Sequence, residues 1–415
     1  MKLFHSRKVA ALAAAAIIVS VSAHAAEPAK AGQPGSHLYT QTNETVNKII
    51  HYARNADGTL TEVERVSTGG RGTNGYKFFT GQNSAPDTLV SAAAITMSAD
   101  HSMLFAVNAA DSSVSSFAVG KDGKLQLRDR KPTGEAAPPT AVAYNAKAHT
   151  LYVVHQRGPN HIRSFTVVDG MLTATGKAYT LNTPQFNDRI PTQIVSSPDG
   201  RFLLANMLAN KPPPKPVLAN DETKDGLMVF PVNPDGTLGK VVINDAGGVE
   251  PFGLTFLNGS NDTFVNTLSD SSGVVLSKLD PDGKVTNSPL AKVDVSGAPK
   301  GGPAETCWVA LSPDNRFAYA ANYGLSNLTS FAIENGTIRT AADNIGRVTG
   351  DGKFTSAAGV VSSAPLDAWA SKDGFLYQLY PNASQLVAYR MNGAQLEKVG
   401  SYPVPYNMTV GLTGY

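Results

Sequence analysis

The chain has 415 residues, enough for a large core, with 16% charged residues and a formal net charge of +2. No basic stripe is present, which argues against nucleic acid as a partner. The single cysteine, Cys307, rules out an intrachain disulfide; beside Trp308 on an expected inner strand it reads as packed rather than reactive, because an apolar site raises a thiol pKa.

The first 25 residues read as a secretory signal peptide. Lys2, Arg7 and Lys8 form a basic start, residues 9–21 an apolar run too short to span a bilayer comfortably, and Ala23-His24-Ala25 a small-residue cleavage site. Its removal leaves 32 basic against 33 acidic residues, a net charge of −1. No other apolar run is long enough to cross a membrane, so the expectation is an exported protein, periplasmic or secreted, with no membrane span after cleavage. Residues 26–35 read as a linker and 36–415 as one domain.

That domain is built on a recurring phrase. Ser312-Pro313-Asp314-Asn315-Arg316-Phe317-Ala318-Tyr319 echoes Ser197-Pro198-Asp199-Gly200-Arg201-Phe202-Leu203-Leu204, and weaker copies start at Ser98, Asn145, Asn258 and Ser371. In order, the spacings are 47, 52, 61, 54 and 59 residues. Each copy is a turn followed by an apolar strand. A second strand follows, then often a turn such as Asn233-Pro234-Asp235-Gly236. This period, with about four strands per unit, predicts an all-β, seven-bladed β-propeller of four-stranded antiparallel blades.

The expected units cover 36–70, 92–137, 138–189, 190–248, 249–303, 304–361 and 362–405. The first lacks an opening copy of the phrase. The C-terminal run from Asn407 to Leu412 supplies the missing strand and closes the ring, which would otherwise leave open strand edges.

In such blades the Ser-Pro-Asp and Asn-Pro-Asp turns lie on one face. The sizeable insertions, residues 69–90, 181–189, 210–226, 295–303 and 346–363, all fall on the other. Long loops on a rigid scaffold are where sites are built; the competing reading is that they only cap the channel. Two sets of positions converge there. The inner strands begin at Ala94, Ala141, Gln193, Gly253, Trp308 and Asp367. The second strands end at Asn108, His155, Met207, Asn266 and Asn322. The candidate catalytic residues are His155 or Asp367 as base and Arg71 or Arg157 as electrophile. The candidate ligand-binding residues are Gln193, Trp308, Glu305, Asn108, Asn266 and Asn322. Arg71 is flanked by Gly70 and Gly72, which let the backbone bend around a small anion. The asparagines have a plainer reading, as strand-end caps bonded to nearby backbone. No nucleophile elbow, phosphate loop or metal-ligand spacing occurs, so no metal and no cofactor are expected.

The Ser-Pro-Asp-Gly-Arg-Phe and Ser-Pro-Asp-Asn-Arg-Phe phrases, with the Asn-x-Asp-Gly-x-Leu hairpins at 55–60 and 233–238, resemble the seven-bladed lactonase family. That family includes propeller 6-phosphogluconolactonases and carboxymuconate-lactonizing enzymes. The resemblance spans the mature chain and implies the propeller fold and a lactonase-like hydrolase or isomerase. The family's site motifs read differently here. Its Pro-His-x-His opening is Pro191-Thr192-Gln193, its Arg-His pair is Phe252-Gly253, its Asn-Glu-Leu is Asn266-Thr267-Leu268, and its Asn-Arg-Gly is Asn322-Tyr323-Gly324. The His, Arg and Glu do not carry over. With Thr68-Gly69-Gly70-Arg71-Gly72, the chain resembles a divergent, exported branch. Its expected partner is a small carboxylate or lactone. The alternative is a non-catalytic propeller that binds a periplasmic protein, a glycan or a small ligand, with the Pro-rich run 211–216 as a contact element. A quinone- or haem-dependent oxidoreductase ranks last, since no covalent cofactor motif is present.

Overall fold

Each copy of the recurring phrase closes a tight turn through its own side chains. Ser197 Oγ–H donates to Asp199 Oδ1 at 2.7 Å, and the same carboxylate oxygen accepts the Arg201 N–H at 3.1 Å. The Phe202 N–H then returns to Ser197 Oγ at 3.0 Å. Ser312, Asp314, Arg316 and Phe317 repeat this circuit at 2.7, 3.1 and 2.9 Å. The fourth position needs left-handed backbone, with φ of +72° at Gly200 and +59° at Asn315, which explains why Gly and Asn alternate there.

These turns start the second strand of each blade. In this computed structural model, which describes residues 36–184, 186–209 and 226–415, seven four-stranded antiparallel blades form a ring. Blade 5 carries one extra short strand, Ala291–Lys292, beyond the break made by Pro289. The innermost strands are Val410–Gly414 for blade 1, Ile95–Met97 for blade 2, Pro139–Asn145 for blade 3 and Arg189–Ser196 for blade 4. Those of blades 5, 6 and 7 are Pro251–Phe256, Thr306–Leu311 and Ala368–Ala370. Among the described residues, only two one-turn 3₁₀ segments, Ala109–Asp111 and Pro381–Ala383, interrupt the strand pattern.

The C-terminal strand pairs with His37–Gln41, as the missing opening strand required. Tyr415 and His37 exchange backbone hydrogen bonds at 2.8 and 2.9 Å, and Thr40 Oγ–H donates to Gly411 O at 2.7 Å. The two ends of the domain are thus locked in one sheet, and the ring has no open edge. Strands alternate between faces that pack on the preceding and following blades, so the core is a series of apolar layers between blades rather than one central mass.

The inner strands of blades 3, 4, 5 and 6 share one irregularity. Their register slips near the strand start, between Pro139 and Ala141, Pro191 and Gln193, Pro251 and Leu254, and Thr306 and Trp308. A bulge there turns backbone groups out of their own ladder, and neighbouring elements pair with them. Thr192 Oγ–H donates to Pro251 O at 2.9 Å, and Thr267 Oγ–H donates to Cys307 O at 2.6 Å.

The expected insertions after blades 1, 3, 5 and 6 are present as blade-to-blade connections, on the face away from the Ser-Pro-Asp turns. The insertion at 210–226 lies almost entirely outside the described residues, as do the leader and linker. Among the described residues no helix is long and apolar enough to cross a membrane.

Candidate functional site

The longest blade connection, between blades 1 and 2, divides the axis of the ring. Residues 85–92 are all buried and run across the channel under the loop-rich face. The Ala92 N–H donates to Thr192 O at 2.8 Å, Ser91 Oγ–H to Thr140 O at 2.7 Å, and Gln156 Nε2 to Leu89 O at 3.2 Å. The acceptors Thr140 and Thr192 belong to the bulged stretches of blades 3 and 4, so the bulges hold this plug. Its backbone is strained: Ser84, Asp87, Val90 and Ala93 have φ of +49°, +52°, +55° and +66°. Left-handed backbone is costly for a β-branched residue such as Val90, and clusters of it mark built sites.

Two cavities result. The first, about 470 Å³, lies on the loop-rich face outside the plug. Lys77 and residues 82–86 of the plug loop form one side; Glu305, Tyr323, Phe354, Asn382 and Tyr406 face them. The second, about 490 Å³, runs along the axis from beneath the plug, at Ala92, Gln193, Trp308 and Asp367, to the Ser-Pro-Asp turns at Ser197 and Pro198.

Glu305 has the most exceptional environment of the loop-face cavity. It precedes the inner strand of blade 6, with φ of +51°. Its carboxylate has no hydrogen-bond partner among the described residues, and its Oε2 is sealed from solvent. The space for Oε2 comes from Gly324, where an added Cβ would stand 2.9 Å from it and 2.7 Å from Pro303 O. Burial pushes the Glu305 carboxyl up to about 7; Lys77 opposes the rise, while Asp87 and Asp270 add to it. The Tyr323 hydroxyl has no partner among the described residues and is driven well above its ordinary pKa, first by burial and then by Asp87 and Glu305. On the far side Tyr406 donates to Asp351 Oδ2 at 2.6 Å, and Lys353 Nζ lies 3.6 Å from that oxygen. Lys77 forms no ion pair among the described residues.

The sequence-derived candidates fall into three places. Glu305 lines the loop-face cavity, and Gln193, Trp308 and Asp367 line the axial one. The others line neither. His155 is fully buried in blade 3, with Nδ1 3.0 Å from His161 O and Nε2 unpartnered; burial lowers its pKa to about 4. Arg71 is exposed, its backbone N–H held by Asp111 at 3.1 Å. Arg157 lies 5.7 Å above the Phe79 ring. The asparagines are hydrogen-bonded knots: Asn108 and Asn266 tie their blade to the preceding one, and Asn322 ties strands of its own blade. Asn108 donates to Ser113 and Ser115 and accepts from Asn47 and Thr68. Asn322 donates to Asn327 and Thr329 and accepts from Thr306. Asn266 accepts from Asn206 at 2.7 Å. Lys77, Asp87, Tyr323 and Tyr406 were not singled out from sequence as site residues. For Lys77, Asp87 and Tyr406 the only signal was membership of the loops on the insertion-rich face; Tyr323 also stands where the resembled family's site motif has Arg.

The description "Lactonase, 7-bladed beta-propeller" names a family model that matches residues 27–186. These residues reach through blade 3, and the ring continues the same blade plan to seven. The lactonase family model thus covers the first three blades of a seven-bladed propeller. A candidate 6-phosphogluconolactonase from Bacteroides uniformis superimposes on this propeller with a TM-score of 0.65 at 20% identity, covering 92% of this chain and 100% of its own. A periplasmic gluconolactonase from Pseudomonas aeruginosa gives 0.66 at 19% identity, covering 91% and 98%. A Lactobacillus plantarum protein gives 0.63 at 17% identity, covering 92% and 100%. At these identities the likeness is one of fold. A search among curated proteins gave no match.

Proposed function

We propose that this lactonase-type propeller hydrolyses a small lactone in its loop-face cavity, with Glu305 as general base. The observation that carries the reading is the Glu305 carboxylate itself. It is half-buried, without a hydrogen bond to the described residues, pushed by burial to a pKa of about 7, and faces a cavity that also presents an ammonium at Lys77 and a hydroxyl at Tyr323. A base with a pKa near the working pH is best placed to move a proton in the transition state.

In this reading Glu305 takes a proton from a water, and the resulting hydroxide oxygen bonds to the lactone carbonyl carbon. Lys77 and the Tyr323 O–H lower the energy of the oxyanion that forms. Collapse breaks the bond between acyl carbon and ring oxygen, and the proton held by Glu305 passes to the departing alkoxide. The product is the open hydroxy acid, with one water consumed. The leader-like N-terminus supports export, so the substrate would be met outside the cytoplasm.

The test begins with melting temperature against a panel of lactones, aldonic acids, sugar phosphates and aromatic acids, since a ligand of the native state raises it by mass action. Responding lactones are then followed by proton release at constant pH. Turnover abolished by Glu305→Gln with ligand binding retained supports the reading. Binding without turnover in the wild type replaces it with that of a non-catalytic receptor.

A further inference from the structure

The axial cavity is a second, separate site. At one repeat position, blades 2, 3 and 5 carry Ala94, Ala141 and Gly253, so the fold requires only a small residue there. Blades 4, 6 and 7 carry Gln193, Trp308 and Asp367, and all three line the same cavity. Asp367 is 5% exposed. Its Oδ2 accepts the Gly411 N–H at 2.9 Å, and among the described residues no Lys, Arg or His forms an ion pair with it. The charged neighbour that acts on it most strongly is another carboxylate, Asp87. A buried carboxylate without a counter-cation is costly, and this one faces a cavity rather than packed atoms.

Gln193 is 8% exposed, and its amide orientation is fixed because Oε1 accepts the Leu254 N–H at 2.5 Å. Its Nε2 has no partner among the described residues and is not among the sealed atoms, which leaves it presented to the cavity the residue lines. Trp308, edge-on to Phe252 at 4.7 Å, with Leu254 and Leu412, supplies apolar wall. The plug closes the loop-rich end, and the cavity reaches the opposite face among the Ser-Pro-Asp turns.

We propose that the channel binds a small organic ammonium compound from the short-turn face, its nitrogen on Asp367 and an acceptor group on Gln193 Nε2. The ammonium supplies the missing counter-charge, and the organic body covers the apolar wall. A bare divalent metal fits poorly, because it takes about six oxygen ligands and this site offers one carboxylate. The proposal stands whether or not the loop-face cavity turns over a lactone.

The test is calorimetric titration of the mature protein with n-butylamine hydrochloride and with β-alanine, using sodium chloride as the control. Saturable binding of both is expected, weakened at least about tenfold by Asp367→Asn and unchanged by Glu305→Gln. Gln193→Leu should weaken β-alanine, which carries an acceptor, but not butylamine. The accompanying change in tryptophan fluorescence should disappear in Trp308→Phe. Equal affinity in Asp367→Asn and wild type, or no saturable binding of either amine below about 10 mM, overturns the proposal. Should Asp367→Asn not fold, a Gln193→Leu protein that fails to separate the two amines overturns it equally.

Discussion

Glu305 and Asp367 are two buried carboxylates on opposite sides of one plug, and both are held near pH 7 chiefly by burial. They differ in what they touch. Asp367 accepts a backbone N–H from the ring-closing strand. Glu305 accepts nothing from the described residues and stands in a hollow left by Gly324. A similar final pKa therefore arises in a group tied to the scaffold and in one without such a tie. The pKa alone does not distinguish a catalytic acid from a structural or ligand-binding one; the hydrogen-bond inventory does.

The sharpest way to break this comparison is to neutralise each in turn. Glu305→Gln should lower kcat on a responding lactone by about 10²–10⁴-fold, the usual worth of a general base, with little change in melting temperature. Asp367→Asn should leave that rate within about threefold, the level at which a remote isosteric change is felt. Equal losses in both variants would mean that the two cavities act as one site.

A second effect tests the cation opposite Glu305. Activity should rise with pH through about 7, as Glu305 loses its proton. Because Lys77 favours the ionised carboxylate, Lys77→Met should move the midpoint of the kcat/KM profile to higher pH and lower its plateau. A plateau loss without movement of the midpoint would limit Lys77 to contact with substrate.

Much of the architecture was legible because it is periodic. The Ser-Pro-Asp phrase encodes a side-chain-closed turn, and six copies counted the blades. The missing first copy pointed to the C-terminal strand that now pairs with His37–Gln41. The insertions marked the face that holds the Glu305 cavity. Glu305 was readable because it abuts an inner strand. Lys77 was not, because it reaches the cavity from a blade connection whose length follows no repeat. The plug was invisible for the same reason: its hydrogen bonds run to bulged residues of blades 3 and 4, far away in sequence. At Asn108 and Asn322 the sequence offered two readings, and the observed bonds to Ser and Thr side chains one blade strand away make them knots that hold strand ends.

A third measurement compares the carboxylates through stability. Both have folded pKa values above those of an unfolded chain, so the folded state holds their protons more tightly. Their contribution is fully present below about pH 4 and is lost as pH rises through about 7. Stability, followed as melting temperature, should therefore fall between pH 5 and 8, the Asp367 contribution being at most about 4 kcal/mol of free energy. Asp367→Asn should flatten that fall more than Glu305→Gln, since Asp367 is the more buried. A slope unchanged in both variants would place the titration elsewhere, with Asp87, held at about 6 by burial, next in line.

The smallest expected effects concern the two arginines. Arg71 sends no side chain into either cavity, and Arg157 reaches the loop-face site only through Phe79, two residues from Lys77. Arg71→Ala should change neither kcat nor KM by more than about twofold, as for an exposed position without a buried partner. Arg157→Ala removes a cation–π contact worth about 0.5–1 kcal/mol at an exposed site, and it should act by loosening the loop that carries Lys77. Its mark would be a modest rise in KM at constant kcat. A large loss of kcat in Arg157→Ala would instead extend the site toward blade 3 and make the guanidinium, rather than Lys77, the group that meets the oxyanion.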